Sequence, residues 1–216
     1  MLGFVLLLAS EVRALTLADL IAGDNLMTSN GLTFDSFDAV ISGDLATAIT
    51  PADLEIVVLS DGFRIAGPIS AADGEIGDIL LSYSVTQTFF PNLLPIIGAS
   101  LLSNGVAEGI GAQAGIDELL LMTPHGVVIA VLSAFDTGAI SGDAIFFDEA
   151  SFDPIHALHV EKDILVDSVL LDGGVGGSAR ISLIDQRFQV VPEPTSISLM
   201  SLGLAGLAFG GRRRRV

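Results

Sequence analysis

The sequence predicts a mainly β chain: an antiparallel β-sandwich of jelly-roll type, with an N-terminal signal segment before it and a C-terminal transmembrane helix after it. Three observations carry this expectation. About nine or ten short apolar segments are separated by turns rich in Gly and Asp. No alternation of strands with helical segments runs through the chain, which disfavours a nucleotide-binding α/β fold. The 24 glycines and the absence of tryptophan favour many turns and short strands over long helices. Three regions follow: 1–14 as a signal peptide, 15–190 as an acidic β-sandwich, and 191–216 as a Pro-Glu-Pro motif, an apolar helix and an arginine cluster. The middle region is a single domain by size, and no repeat of 20 to 50 residues interrupts it.

In chain order, Met1 to Ala9 has the length of a signal-peptide apolar core, and Val12-Arg13-Ala14 places small residues before a plausible cut. It lacks the usual basic start, as a truncated leader would; a buried first strand is the alternative reading. Leu15 to Ala22 predicts a short helix, with Thr16 as N-cap and Asp19 completing a capping box. Asn30-Gly31 turns into a strand at Leu32–Phe37. Leu54–Leu59 and Phe63–Ala66, joined through Ser60-Asp61-Gly62, predict a hairpin. From Ile76 to Thr88, Ile79, Leu81, Tyr83 and Val85 alternate with Ser82, Ser84 and Thr86, so one face is apolar. Phe89–Pro95 is a break, and Ser100–Ala114, rich in Gly and Ala, supports no assignment. Leu119–Met122 and Val127–Leu132 flank Thr123-Pro124-His125-Gly126 as paired strands, and Asp136–Asp143 is a loop. Ile145–Phe147, part of Ile155–Val169, and Ala179–Gln189 complete the set, with Asp172–Gly177 as the last loop.

Charge excludes some functions. Between the two end segments only Arg64, Lys162, Arg180 and Arg187 oppose 24 carboxylates. Such a surface repels nucleic-acid phosphates and anionic lipid, so neither is an expected partner. There is no cysteine, hence no disulfide, thiolate nucleophile or thiolate metal site.

Candidate chemistry is sparse. Asp153, His156 and His159 share a segment, but on a strand the two histidines point to opposite faces and cannot share an ion. His125 sits in a Pro-initiated turn and Ser178 in a Gly-rich one, yet no Gly-x-Ser-x-Gly elbow is present. Gly173-Gly174-Val175-Gly176-Gly177 lacks the Lys-Ser/Thr of a phosphate loop. Asp136 and Asp143, bracketing a Gly-containing turn, are the weak candidates for a calcium site built from loop oxygens. No EF-hand spacing accompanies them, and the expectation is of no cofactor and no enzymatic activity.

The last 26 residues say most. Pro192 and Pro194 hold Glu193 in an extended segment. Thr195 to Gly211 is free of charge and, as a helix, would span about 25 Å, marginal for a hydrocarbon core of about 30 Å. Gly206 and Gly210 form a Gly-x-x-x-Gly pair compatible with helix association. Arg212, Arg213, Arg214 and Arg215 are expected to stay cytoplasmic, leaving everything before Pro192 across the membrane. This three-part order resembles the PEP-CTERM sorting domain of exported bacterial proteins. Glu161-Lys162-Asp163-Ile164 and Ile181–Phe188 are likewise similar to the last strands of many such proteins. The resemblance implies recognition by an exosortase, a membrane-embedded cysteine peptidase, in a bacterium that makes extracellular polysaccharide. It also implies transient anchoring in the inner membrane, then release to the cell surface or matrix in a structural or binding role. A carbohydrate-binding or carbohydrate-active protein, and a permanently anchored envelope protein, are the alternatives; the lack of Trp and the single Tyr disfavour the first.

Overall fold

Alternation of apolar and polar side chains decides the architecture, because a strand with one apolar face must bury it against a second sheet. The computed structural model describes residues 14–87, 94–138, 144–170 and 176–191. Its strands are β1 (Leu26–Met27), β2 (Leu32–Gly43), β3 (Glu55–Val58), β4 (Gly62–Ala72), β5 (Ile76–Gln87), β6 (Ile96–Ser103), β7 (Val106–Glu108), β8 (Gln113–Leu121), β9 (Val128–Thr137), β10 (Phe147–Ile155), β11 (Ala157–Asp167) and β12 (Ser178–Val190). They form two sheets, ordered β1-β2-β5-β11-β8-β9 and β10-β6-β12-β4-β3, with β7 also paired to β12.

The pairings are antiparallel and nested. β4 meets β12, β5 meets β11, β6 meets β10, and β8 meets β9. Successive pairs fall in opposite sheets. Two antiparallel sheets paired in this way form a sandwich, the architecture the turn-separated strands predict.

Ile79, Leu81, Tyr83 and Val85 all face inward, as the period of two requires. One part of the core is aromatic: Phe34 lies edge-on to Phe63 at 5.2 Å between centroids, Phe37 stacks on Tyr83 at 5.1 Å, and Phe188 lies 5.7 Å from Phe34. At the start of the fold, α1 (Leu17–Ile21) has the predicted capping box. Thr16 donates its backbone N–H and hydroxyl to Asp19 Oδ2 at 2.9 and 2.7 Å, and the Asp19 N–H returns to Thr16 Oγ1 at 3.3 Å. Leu17 and Leu20 are thereby held in the core. Thr50 and Asp53 repeat the device at a 3-10 turn (Pro51–Asp53) that follows a second short helix, α2 (Leu45–Ala48).

The structure extends the sequence reading in two places. Ser100–Ala114, for which the sequence supports no assignment, contains half of β6, all of β7 and the start of β8. The inward positions of β6 and β7 include Ala99, Ser103 and Ala107, too small to give hydropathy contrast. Ser178, read as a loop residue, is the first residue of β12. Among the described residues no helix is long and apolar enough to cross a membrane. The expected leader (1–13), residues 139–143 and 171–175, and the expected transmembrane segment with its flanking motifs (192–216) lie outside the described residues.

Candidate functional site

The outer face of the first sheet carries a groove of about 730 Å³. Strand register builds its floor in two rungs. Asp38 of β2 opposes Ser82 of β5, which opposes Glu161 of β11, which opposes Leu119 of β8. One rung along, Val40, Leu80, Asp163 and Asp117 align in the same order. The turn between β8 and β9 forms a wall with Pro124 and His125. His125 adopts φ +57°, a left-handed conformation that closes this turn, and Gly126 N–H donates to Thr123 O at 2.8 Å.

Acid groups dominate the electrostatics. Asp163 faces Asp117 directly across the strands, with Asp78 diagonally placed on β5. Partial burial, a hydrogen bond with Asp78, and repulsion from Asp78 and Asp117 push its carboxyl up to about 6. A carboxyl raised above its unfolded value stabilises the fold below that unfolded value, and the contribution is lost as pH rises through about 6. Asp163→Asn is therefore expected to stabilise the protein at pH 7, by no more than about 1 kcal/mol at this exposed position. Urea titrations should show the gain at pH 7 and none near pH 4.

His159, mostly buried, places Nδ1 3.4 Å from Ser84 Oγ and Nε2 3.9 Å from Glu161 Oε1. Desolvation lowers its pKa, partly offset by Glu161, so the ring is neutral near pH 7. His125 Nδ1 lies 3.5 Å from the same Glu161 oxygen. Ser84, His159 and Glu161 have the residue types of a nucleophilic triad, but the 3.9 Å step exceeds hydrogen-bond reach. Ser84 also sits within a strand, not on the strained turn that presents a hydrolase nucleophile. What the groove can do is accept hydrogen bonds from a hydroxyl-rich or cationic ligand over a partly apolar floor.

Other sequence candidates do not meet here. Asp136 Oδ2 accepts the Ala107 N–H at 2.8 Å, tying β9 to β7, and Asp143 lies outside the described residues. His156 sits in the bend between β10 and β11, apart from the outward-facing His159. Among the described residues no three metal-ligating side chains gather in one place. The one tyrosine, Tyr83, is fully buried and offers no platform to a sugar.

A second polar cluster lies inside the sandwich, and the sequence reading missed it. Lys162 of β11 and Glu118 of β8 are cross-strand partners whose side chains are both 0 % exposed, and they form an ion pair. Lys162 Nζ also donates to Gln186 Oε1 of β12, in the opposite sheet, at 2.8 Å. Burial pushes the Glu118 carboxyl up and the Lys162 amine down, each partly countered by the other. A signal for it was available. Lys162 is the sole lysine of the chain, and it falls between Val160 and Ile164 on the inward side of its strand.

No curated protein matches the chain. Solved structures match only loosely. A carbohydrate-binding module of Clostridium stercorarium in complex with cellobiose is 11 % identical over 78 % of this chain and 94 % of its own, with a TM-score of 0.27. The enzymatically active domain of a tailspike protein of bacteriophage CBA120 is 13 % identical over 76 % of this chain and 20 % of its own, also with a TM-score of 0.27. A mannan-recognising carbohydrate-binding module is 10 % identical over 75 % of this chain and 95 % of its own, with a TM-score of 0.25. Likenesses this weak carry no argument about function. The family comparison is different in kind: residues 190–215 match the model of the PEP-CTERM protein-sorting motif, and the chain carries that motif directly after its last strand.

Proposed function

We propose that this chain is an exported protein that an exosortase sorts and cleaves near Pro192-Glu193-Pro194, releasing an acidic β-sandwich to the cell surface or extracellular matrix. The observation that carries the reading is the sorting-motif match over residues 190–215. The fold is compatible with it. β12 ends at Val190, and the Val191 N–H still donates to Pro95 O at 3.0 Å, so a cut beyond that point removes no described element. In transit, the apolar 195–211 segment anchors the chain in the inner membrane, and Arg212–Arg215 keep its end cytoplasmic. The role of the released sandwich is structural or binding, not enzymatic, with extracellular polysaccharide or cations held through many weak contacts.

Mass spectrometry of the mature protein from exosortase-positive cells tests this. The expected C-terminus lies ahead of the apolar segment. A mature species still continuous with Arg215 removes the processing claim, and its recovery in the membrane fraction would instead mark a permanently anchored protein.

A second reading is favoured by the groove on the first sheet: saturable carbohydrate binding by the sandwich, with Asp117, Glu161 and Asp163 accepting hydroxyl hydrogen bonds. A glycan array with residues 15–191 separates the two, since saturable binding there displaces the purely structural role.

A further inference from the structure

The buried cluster of Lys162, Glu118 and Gln186 brings together an amine, a carboxyl and a primary amide, with no water-exposed face on the amine or carboxyl. We propose that Lys162 and Gln186 form an intramolecular isopeptide bond across the two sheets, with Glu118 as the proton carrier. This is a modification of the sandwich itself and does not depend on how the chain is exported.

Position supports it first. Nζ of Lys162 sits 2.8 Å from Gln186 Oε1. The amide carbon is one carbonyl bond of about 1.2 Å beyond that oxygen, so Nζ is at most about 4 Å from it. A small rotation about the lysine stem brings it to the attack distance of about 3 to 3.5 Å. Gln186 Nε2, the departing group, donates to Ser100 O at 3.3 Å, which fixes the plane of the amide. Glu118 contacts both reactants, and its Oε1 is buried with no hydrogen-bond partner, leaving one oxygen free to carry a proton.

The electrostatics favour the reactive protonation states. Burial opposes the charge on both members of the pair, which favours a neutral amine and a protonated carboxyl. Glu118 carboxylate takes a proton from the Lys162 ammonium. The neutral amine then attacks Gln186 Cδ, forming the new C–N bond. Glu118 relays protons so that the tetrahedral centre collapses with cleavage of the Cδ–Nε2 bond. Ammonium, carboxylate and primary amide thus become secondary amide, carboxylic acid and ammonia, with no redox partner. The product replaces two buried charges by neutral groups, which removes the desolvation penalty of the pair. In a chain without cysteine it also supplies a covalent link between β11 and β12, members of different sheets.

The full chain, produced in a host without exosortase, gives the test. Digestion and tandem mass spectrometry are expected to yield a branched peptide joining Lys162 to Gln186, about 17 Da lighter than the sum of its parts, the mass of one ammonia. Because the chain has one lysine, an amine-reactive reagent on the denatured protein should then find no ε-amine. Glu118→Gln, which keeps amine and amide but removes the proton carrier, should restore the reactive ε-amine and abolish the branched peptide. Unlinked peptides carrying Lys162 and Gln186 at full mass in the wild-type protein overturn the proposal, whether or not the variant folds. A loss of about 18 Da joining Lys162 to Glu118 also overturns it, since that is condensation with the carboxyl and release of water.

Discussion

Lys162→Met is expected to destabilise the sandwich by about 3–5 kcal/mol at pH 7 relative to the unlinked chain with its ion pair intact, the usual cost of leaving one member of a buried pair alone. Glu118 is fully buried, and without the lysine only a hydrogen bond from Gln186 is left to favour its negative charge. The pH dependence is diagnostic. Burial already raises the Glu118 carboxyl above its ordinary value of 4.5, and losing the ammonium raises it further. A raised carboxyl stabilises below the unfolded value and loses that contribution as pH rises through the folded one. The unlinked Lys162 chain and the variant should therefore converge in urea midpoint as pH falls toward 4.5, and diverge toward neutrality. A pH-independent difference would mean that the loss is one of packing alone. Adding Glu118→Leu to the variant should recover part of the loss, because an apolar pair leaves no charge to solvate.

Phe34→Ala is the second large effect, expected at about 3–5 kcal/mol. Phe34 is 0 % exposed and touches Phe63, Phe188 and Tyr83, with centroids at 5.2, 5.7 and 6.2 Å. Its ring joins β2 and β5 of one sheet to β4 and β12 of the other, so its removal leaves a cavity at the interface and not under a loop. Collapse around it would need both sheets to move, which strand ladders resist. Phe147→Ala on β10, where the side chain is about half exposed, is the control and should fall within about 0.5 kcal/mol of wild type. Chemical denaturation of the three proteins compares them directly; equal losses at both positions would contradict the core assigned here.

What was legible in the sequence was local. The alternation around Tyr83 identifies both β5 and its buried face, and Thr16 with Asp19 specifies the start of α1 down to its hydrogen bonds. Both signals need only a few neighbouring residues. β6 was silent because its inward side chains include Ala99 and Ser103, whose burial leaves no hydropathic trace. The groove was illegible for another reason: Asp38, Asp117 and Asp163 are neighbours only through the registers of four strands, and charge counting saw them as a diffuse acidic surface. Lys162 was counted among four surface cations, although its place between Val160 and Ile164 already put it on the apolar side of β11. The sorting motif was readable because it is a linear signal, carried by residue order rather than by folding.

The position of β12 has a mechanical consequence. It is flanked along its length by β4 on one side and by β6 and β7 on the other, yet it is the strand from which residue 191 continues. A pull applied at Val191 therefore loads two hydrogen-bonded ladders lengthwise, so that many bonds share the force before any breaks. Were the exit point an edge strand such as β3, the same pull could peel its single ladder one bond at a time. The molecule is thus held by its most firmly seated rib, and tension on the chain beyond it would meet the whole second sheet at once.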